Sequence, residues 1–183
     1  TGSLPVVAYT HGSGWVLGGF NTHERLLRDL TGQTGAAFVF VNYPRSPEAR
    51  YPVAIEQVYA TVRWVATYGA ELGLDGSRLA VAGDSVGGNM TAAVTLLAKA
   101  RGGPAIRAQA LLYPVTDAAF DTESYERFAE GPWLTRKAMA WFWDAYLPDT
   151  SRRSEATASP LRASVEQLRG LPPALVITDE ADV

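Results

Sequence analysis

The run Val81-Ala82-Gly83-Asp84-Ser85-Val86-Gly87-Gly88-Asn89 makes the strongest demand on the fold. Gly83-x-Ser85-x-Gly87 follows a short apolar run, Arg78 to Ala82, and precedes a helix-compatible run, Met90 to Ala100. A serine at a sharp strand-to-helix turn takes a strained backbone conformation with its hydroxyl exposed, and the residues two before and two after it must be small. Glycine meets that need because it has no Cβ. A helix opening at this point also aims backbone N–H groups and its positive dipole end toward the hydroxyl, where negative charge would develop. The same pattern fits a glycine-rich turn with an ordinary surface serine, so the neighbouring segments decide between the two.

With 183 residues, 47% of them hydrophobic, the chain is long enough for one globular domain with a substantial core. A net charge of −3 argues against nucleic acid or an anionic membrane as a partner. No apolar run approaches the roughly 20 residues of a membrane helix, and no signal-peptide pattern is present. The absence of cysteine removes disulfides and thiolate metal sites, and a reducing, cytoplasmic location is expected. Neither a metal nor an organic cofactor is implied. His11 and His23 are the two histidines.

Taken in order, Leu4 to Thr10 reads as a buried strand ending in His11-Gly12-Ser13-Gly14-Trp15. A loop so rich in glycine can turn its N–H groups toward an anion or oxyanion. A dinucleotide loop is the rival reading, but the helix is expected to begin only at Asn21, capped with Glu24, and Ala37 to Val41 ends without an acidic residue. A helix from Thr22 to Leu30 and a core stripe of Ile55, Val58, Tyr59, Val62 and Val65 behind Pro52 follow. Ala108 to Tyr113 and Ala174 to Thr178 read as further strands. Residues 116–150 lose the strand pattern and become aromatic, predicting a helical, cap-like excursion with Thr135 as an N-cap and Met139, Phe142, Trp143 and Tyr146 on one helix face. Strands alternating with helices predict an α/β fold with a mostly parallel sheet flanked by helices. His23 is expected to be an exposed surface residue. Tyr9, Trp15, Phe20, Trp133, Trp141 and Trp143 are candidates to wall an apolar pocket, although core packing is the favoured reading for most aromatics of residues 116–150.

Together these segments resemble the hormone-sensitive-lipase-like branch of the α/β-hydrolases, the bacterial carboxylesterases. His11-Gly12-Ser13-Gly14-Trp15 is similar to the family's HGGGW oxyanion loop, Asn42-Tyr43-Pro44-Arg45-Ser46-Pro47-Glu48 to its YRLAPE loop, and Gly83 to Gly88 to its GDSAGG elbow. Pro172 to Asp182 resembles the segment that ends in the family's catalytic aspartate. The resemblance implies Ser85 as nucleophile and Asp182 as the acid that orients the base. It also implies an oxyanion hole from the N–H groups of Ser13, Gly14 and Val86, with His11, Gly12, Gly83, Asp84, Gly87 and Gly88 supporting the motifs. The activity implied is hydrolysis of short- to medium-chain acyl esters through an acyl-enzyme, on a small-molecule substrate, with a homodimer as a possible assembly.

Three departures stand out. Ser13 replaces a family glycine, Arg45-Ser46 alters the second loop, and no histidine follows Asp182. A chain that begins without methionine and stops just after the expected acid is read as a partial sequence, an α/β-hydrolase catalytic domain truncated at both ends. Without the base, Ser85 is a poor nucleophile near neutral pH, so an inactive fragment is expected. The competing expectation, from a different class, is a non-catalytic small-molecule receptor on the same fold.

Overall fold

In the computed structural model, which describes residues 2–183, five strands form one wholly parallel sheet in the order β2-β1-β3-β4-β5. The strands are β1 (Leu4–Thr10), β2 (Ala37–Val41), β3 (Leu74–Asp84), β4 (Gln109–Leu112) and β5 (Ala174–Ile177). Parallel neighbours need long crossovers, and helices supply them: α1 (Phe20–Thr34) between β1 and β2, α2 (Val53–Tyr68) before β3, and α3 (Val86–Ala100) before β4. The segment between β4 and β5 carries α4 (Glu123–Arg127), α5 (Arg136–Tyr146) and α6 (Val165–Leu168).

The alternation of side chains along a strand decides which helix covers which face. Val6 and Ala8 of β1, with Leu79 and Val81 of β3, pack against Ile55, Val58, Val62 and Val65 of α2 and Met90, Ala93 and Val94 of α3. Tyr9 and Ala82 point the other way, toward Leu27 of α1, with Phe38 and Phe40 of β2 alongside. Each fully buried aliphatic side chain in such a layer contributes about 1.5–3 kcal/mol. The stripe expected on α2 is therefore core.

Several element boundaries differ from those the sequence suggested. β3 starts at Leu74, not Arg78, because Leu74 and Asp75 already pair with Leu4 and Pro5 before a register shift at Pro5/Val6. Helix α1 starts at Phe20 on Gly19 and is capped by Thr22, not by Asn21 with Glu24. The Gly19 N–H donates to Thr22 Oγ1 (3.1 Å) and the Thr22 hydroxyl donates back to the Gly19 carbonyl (2.7 Å). Glu24 instead accepts from Arg28 one turn on.

In residues 116–150, Thr135 does cap α5, accepting from the Ala138 N–H at 3.0 Å. Trp143 and Tyr146 are fully buried, and the Trp15 ring stacks on Tyr146 at 4.2 Å and meets Trp143 edge-on at 4.9 Å. Trp15 and Trp143 thus belong to the core and do not wall a pocket, while Trp133 lies almost entirely in solvent. Strand β5 is one edge of the sheet, and Leu175, Val176 and Ile177 are all about half exposed or more.

Candidate active site

All five strands run the same way, so their C-terminal ends deliver five loops to one edge of the sheet, where such folds place their sites. β3 hands directly to α3 through Ser85, whose backbone sits at φ 53°, ψ −121°. That conformation is sparsely allowed for any residue with a Cβ. The geometry is enforced from several sides. The Ser85 N–H donates to the Leu112 carbonyl (2.8 Å), and the Ser85 carbonyl accepts from the N–H groups of Asn89 (3.1 Å) and Val115 (3.2 Å). Glycine is required around it: a Cβ on Gly83 would overlap the Gly87 backbone, and one on Gly87 would overlap the Thr10 carbonyl. On Gly88 a Cβ would come within 2.9 Å of Pro114. The Ser85 hydroxyl makes no capping bond to α3.

Beside the elbow, β1 runs into a loop where Ser13, Gly14 and Trp15 take successive positive φ values of 77°, 65° and 60°. Such a run gathers backbone N–H groups on one side, a concavity suited to an anion. Among the described residues, the N–H groups of Ser13 and Gly14 donate to no acceptor, and Val86, as the first residue of α3, has no helical acceptor for its own N–H. Gly14 is pressed against the Phe142 ring so closely that a Cβ would overlap it. Ser13 is exposed, so the side chain that replaces a family glycine sits on the solvent side of this loop.

The loop after β2 props this one from below. The Tyr43 hydroxyl donates to the His11 carbonyl (2.9 Å), Arg45 Nη1 to the Gly18 carbonyl (3.0 Å) and the Ser46 N–H to the Trp15 carbonyl (2.9 Å). The unusual Arg45-Ser46 pair thus contributes two of the struts. His11 is fully buried and stacked on Tyr43 (4.3 Å) and Phe40 (5.3 Å). Burial drives its pKa below the ordinary histidine value, so it is held neutral as a structural residue.

Ser85 and Asp182 open into the same cavity of about 190 Å³, together with Tyr113, Tyr125, Leu134, Met139 and Leu161. The structure therefore brings together two residues 97 positions apart in the chain. Burial raises the Asp182 pKa above the usual carboxylate value. Tyr125 is pushed up to about 12, first by burial and then by the charges of Asp182 and Asp117. The phenol remains a hydrogen-bond donor at neutral pH.

His23 is not the exposed residue the sequence suggested. Starting α1 at Phe20 turns its ring inward, with only 11% of the side chain exposed, and its Nε2 lies 3.3 Å from both carboxylate oxygens of Asp84. Asp84 also accepts from the Tyr9 hydroxyl (2.9 Å) and the Gly12 N–H (3.1 Å). No local sequence pattern signals this cluster, since His23 and Asp84 are 61 residues apart. Neither histidine is hydrogen-bonded to Ser85 or Asp182. Among the described residues no cluster of three or more His, Cys, Asp or Glu side chains could hold a metal ion, and no helix is long and apolar enough to cross a membrane.

A parallel sheet with a strained serine elbow after its central strand, and a glycine loop beside that elbow, is the arrangement of the α/β-hydrolases. The chain belongs to the α/β hydrolase fold family, whose model matches residues 7–183, in keeping with its resemblance to the hormone-sensitive-lipase-like branch. It is 42% identical over 182 residues to the carboxylesterase NlhH of Mycobacterium tuberculosis, covering 98% of this chain and 57% of that one. A putative α/β hydrolase of Acanthamoeba polyphaga mimivirus is 39% identical, with 98% of this chain and 52% of the relative covered. Among solved structures, a thermostable esterase from Pseudomonas putida superposes with a TM-score of 0.97 at 59% identity, over 99% of this chain and 57% of the other. A hyperthermophilic esterase from the archaeon Pyrobaculum calidifontis gives 0.92 at 40% identity, over 99% and 58%. The chain spans about half the length of the relatives it matches.

Proposed function

We propose that residues 1–183 carry the nucleophile, the acid and the oxyanion hole of a serine carboxylesterase acting on short- to medium-chain acyl esters. The observation that carries this reading is the strained Ser85 turn opening into the cavity that also holds Asp182, next to the unpaired N–H groups of residues 13 and 14. In the proposed reaction the Ser85 oxygen bonds to the ester carbonyl carbon as its proton passes to a base. The carbonyl oxygen takes the negative charge, stabilised by the N–H groups of Ser13, Gly14 and Val86. The carbon–alkoxide bond then breaks, the alkoxide takes up the proton and leaves as alcohol, and water releases the acyl group as the acid.

Asp182 has the role of orienting and stabilising the protonated base, which in the family's order is a histidine further along. His11 is locked under the oxyanion loop and His23 faces Asp84, so neither is assigned that role. Alone, the 183 residues are proposed to retain only the residual catalysis of the hole and the binding site.

Expressing the whole reading frame that contains these residues, beside its Ser85→Ala variant, on p-nitrophenyl acetate and butyrate tests the proposal. Hydrolysis by the parent that is abolished in Ser85→Ala supports it. A parent that hydrolyses neither ester, or a Ser85→Ala variant as active as the parent, overturns it and favours a small-molecule-binding module on the same fold.

A further inference from the structure

The Asp84 side chain is only 10% exposed, and three donors on three different elements converge on its carboxylate: the Tyr9 hydroxyl from β1, the Gly12 N–H from the loop after β1, and His23 Nε2 from the first turn of α1. Asp84 is covalently next to Ser85, and Gly12 is covalently next to Ser13. A single side chain therefore spans the two backbone segments whose spacing decides whether a hole and a nucleophile meet at one carbonyl.

The contact leaves no slack. A Cβ on Gly12 would overlap the Asp84 carboxylate and lie 2.9 Å from the Asp84 carbonyl oxygen. A carboxylate suits the position because it accepts at every lone pair, whereas an amide would present an N–H₂ to at least one of the three donors. His23 completes the arrangement from outside, filling the oxygen that Tyr9 and Gly12 leave free. Its ring is held at 5.5 Å from His11 and 6.3 Å from Phe40 by ring centroids.

We propose that Asp84, held in place by His23, is a positioning residue that fixes the oxyanion loop relative to Ser85. The inference rests on the esterase reading for its catalytic consequence, and on geometry alone for its structural one. Its purpose is registration of the 12–14 backbone: without the tether the Ser13 and Gly14 N–H groups drift from the place where the oxyanion forms. A misplacement of about 1 Å at such a site costs on the order of 100-fold in rate.

The test uses the whole reading frame with Asp84→Asn, His23→Leu and His23→Gln, the last keeping an N–H donor at the ring's place. On p-nitrophenyl butyrate, Asp84→Asn and His23→Leu are expected to lose roughly 10- to 100-fold in kcat with KM within about twofold. Inhibition by a trifluoromethyl ketone, whose adduct carries the oxyanion, should weaken by the same factor as kcat. His23→Gln should recover most of the loss. Unchanged kcat in folded variants, a loss that appears equally in KM, or a His23→Gln variant as impaired as His23→Leu would overturn the proposal.

A second measurement reads the tether without catalysis, on the whole reading frame by amide hydrogen exchange in NMR. The Gly12 amide should exchange at least tenfold faster in His23→Leu than in the parent, while β1 amides keep their rates. Equal Gly12 rates would refute the tether. A parent frame that hydrolyses neither ester refutes the esterase reading, and the exchange rates still decide this one.

Discussion

Backbone strain at Ser85 yields a stability prediction that is independent of any catalytic role. At φ 53° and ψ −121° a residue with a Cβ pays about 1–3 kcal/mol, whereas glycine adopts these angles readily, as at the first central position of a type II′ turn. Replacing Ser85 by glycine removes that strain and adds about 0.5–1 kcal/mol of extra chain entropy to the unfolded state. Taking the middle of the two ranges, Ser85→Gly should be more stable than Ser85→Ala by about 1 kcal/mol. Ser85→Ala is the right reference because it removes the hydroxyl and keeps the Cβ, and the hydroxyl makes no capping bond whose loss would confuse the comparison. For a chain of this size that difference corresponds to a rise in Tm of roughly 2–4 °C. Urea titration of both variants, followed by circular dichroism, measures it directly. If Ser85→Gly is no more stable than Ser85→Ala, the turn is not storing strain and the argument from φ and ψ is wrong.

Three further outcomes follow from the packing. Gly87→Ala drives a methyl group into the Thr10 carbonyl where strand and helix are both fixed, and should lower stability by about 3 kcal/mol in the same titration. Trp143→Ala empties the fully buried place beside the stacked Trp15 and Tyr146 rings and should cost about 3–5 kcal/mol, with loss of the near-ultraviolet aromatic signal. His11 adds a pH dependence: its folded pKa is lowered by burial, so below the ordinary histidine value of about 6.5 the unfolded chain binds the proton more readily. Stability should therefore fall as pH drops below about 6.5, and His11→Gln should flatten that slope in denaturation curves recorded between pH 5 and 8.

The elements with strong local signals were legible before the structure. The serine elbow was readable because glycine at positions 83 and 87 is a local steric requirement, and the structure shows the atoms each Cβ would strike. The Thr135 cap and the α2 stripe depend on spacings of three and four residues, and they appear as expected. What the sequence did not disclose depends on distance along the chain. His23 looked solvent-exposed because its burial is created by Asp84, which the strand order brings alongside. For Trp15 and Trp143 both core and pocket wall stayed open, because an aromatic side chain reads the same facing a ligand or a neighbouring ring. Only the fold, which sets Trp15 flat on Tyr146, shows that they face inward. The apolar run of β5 was legible as a strand, and its exposure follows from its place at the edge of the sheet.

The parallel order β2-β1-β3-β4-β5 also governs how such a chain is made. Thr10 pairs with Gly83 and Leu112 with Ile177, so the strand pairings that frame the cleft join residues synthesised far apart in time. A nascent chain that has emerged through α3 can already align β1, β2 and β3, yet the Ser85 turn gains its Leu112 and Val115 bonds only with β4, and the wall bearing Asp182 exists only after β5 has left the ribosome and found β4. Until then the flank of β4 destined for β5 stays open, and slow non-local pairing leaves apolar strands exposed to one another. The geometry that gathers all the loops at one edge thus makes the cleft wait for β5, whatever the order in which its other parts form.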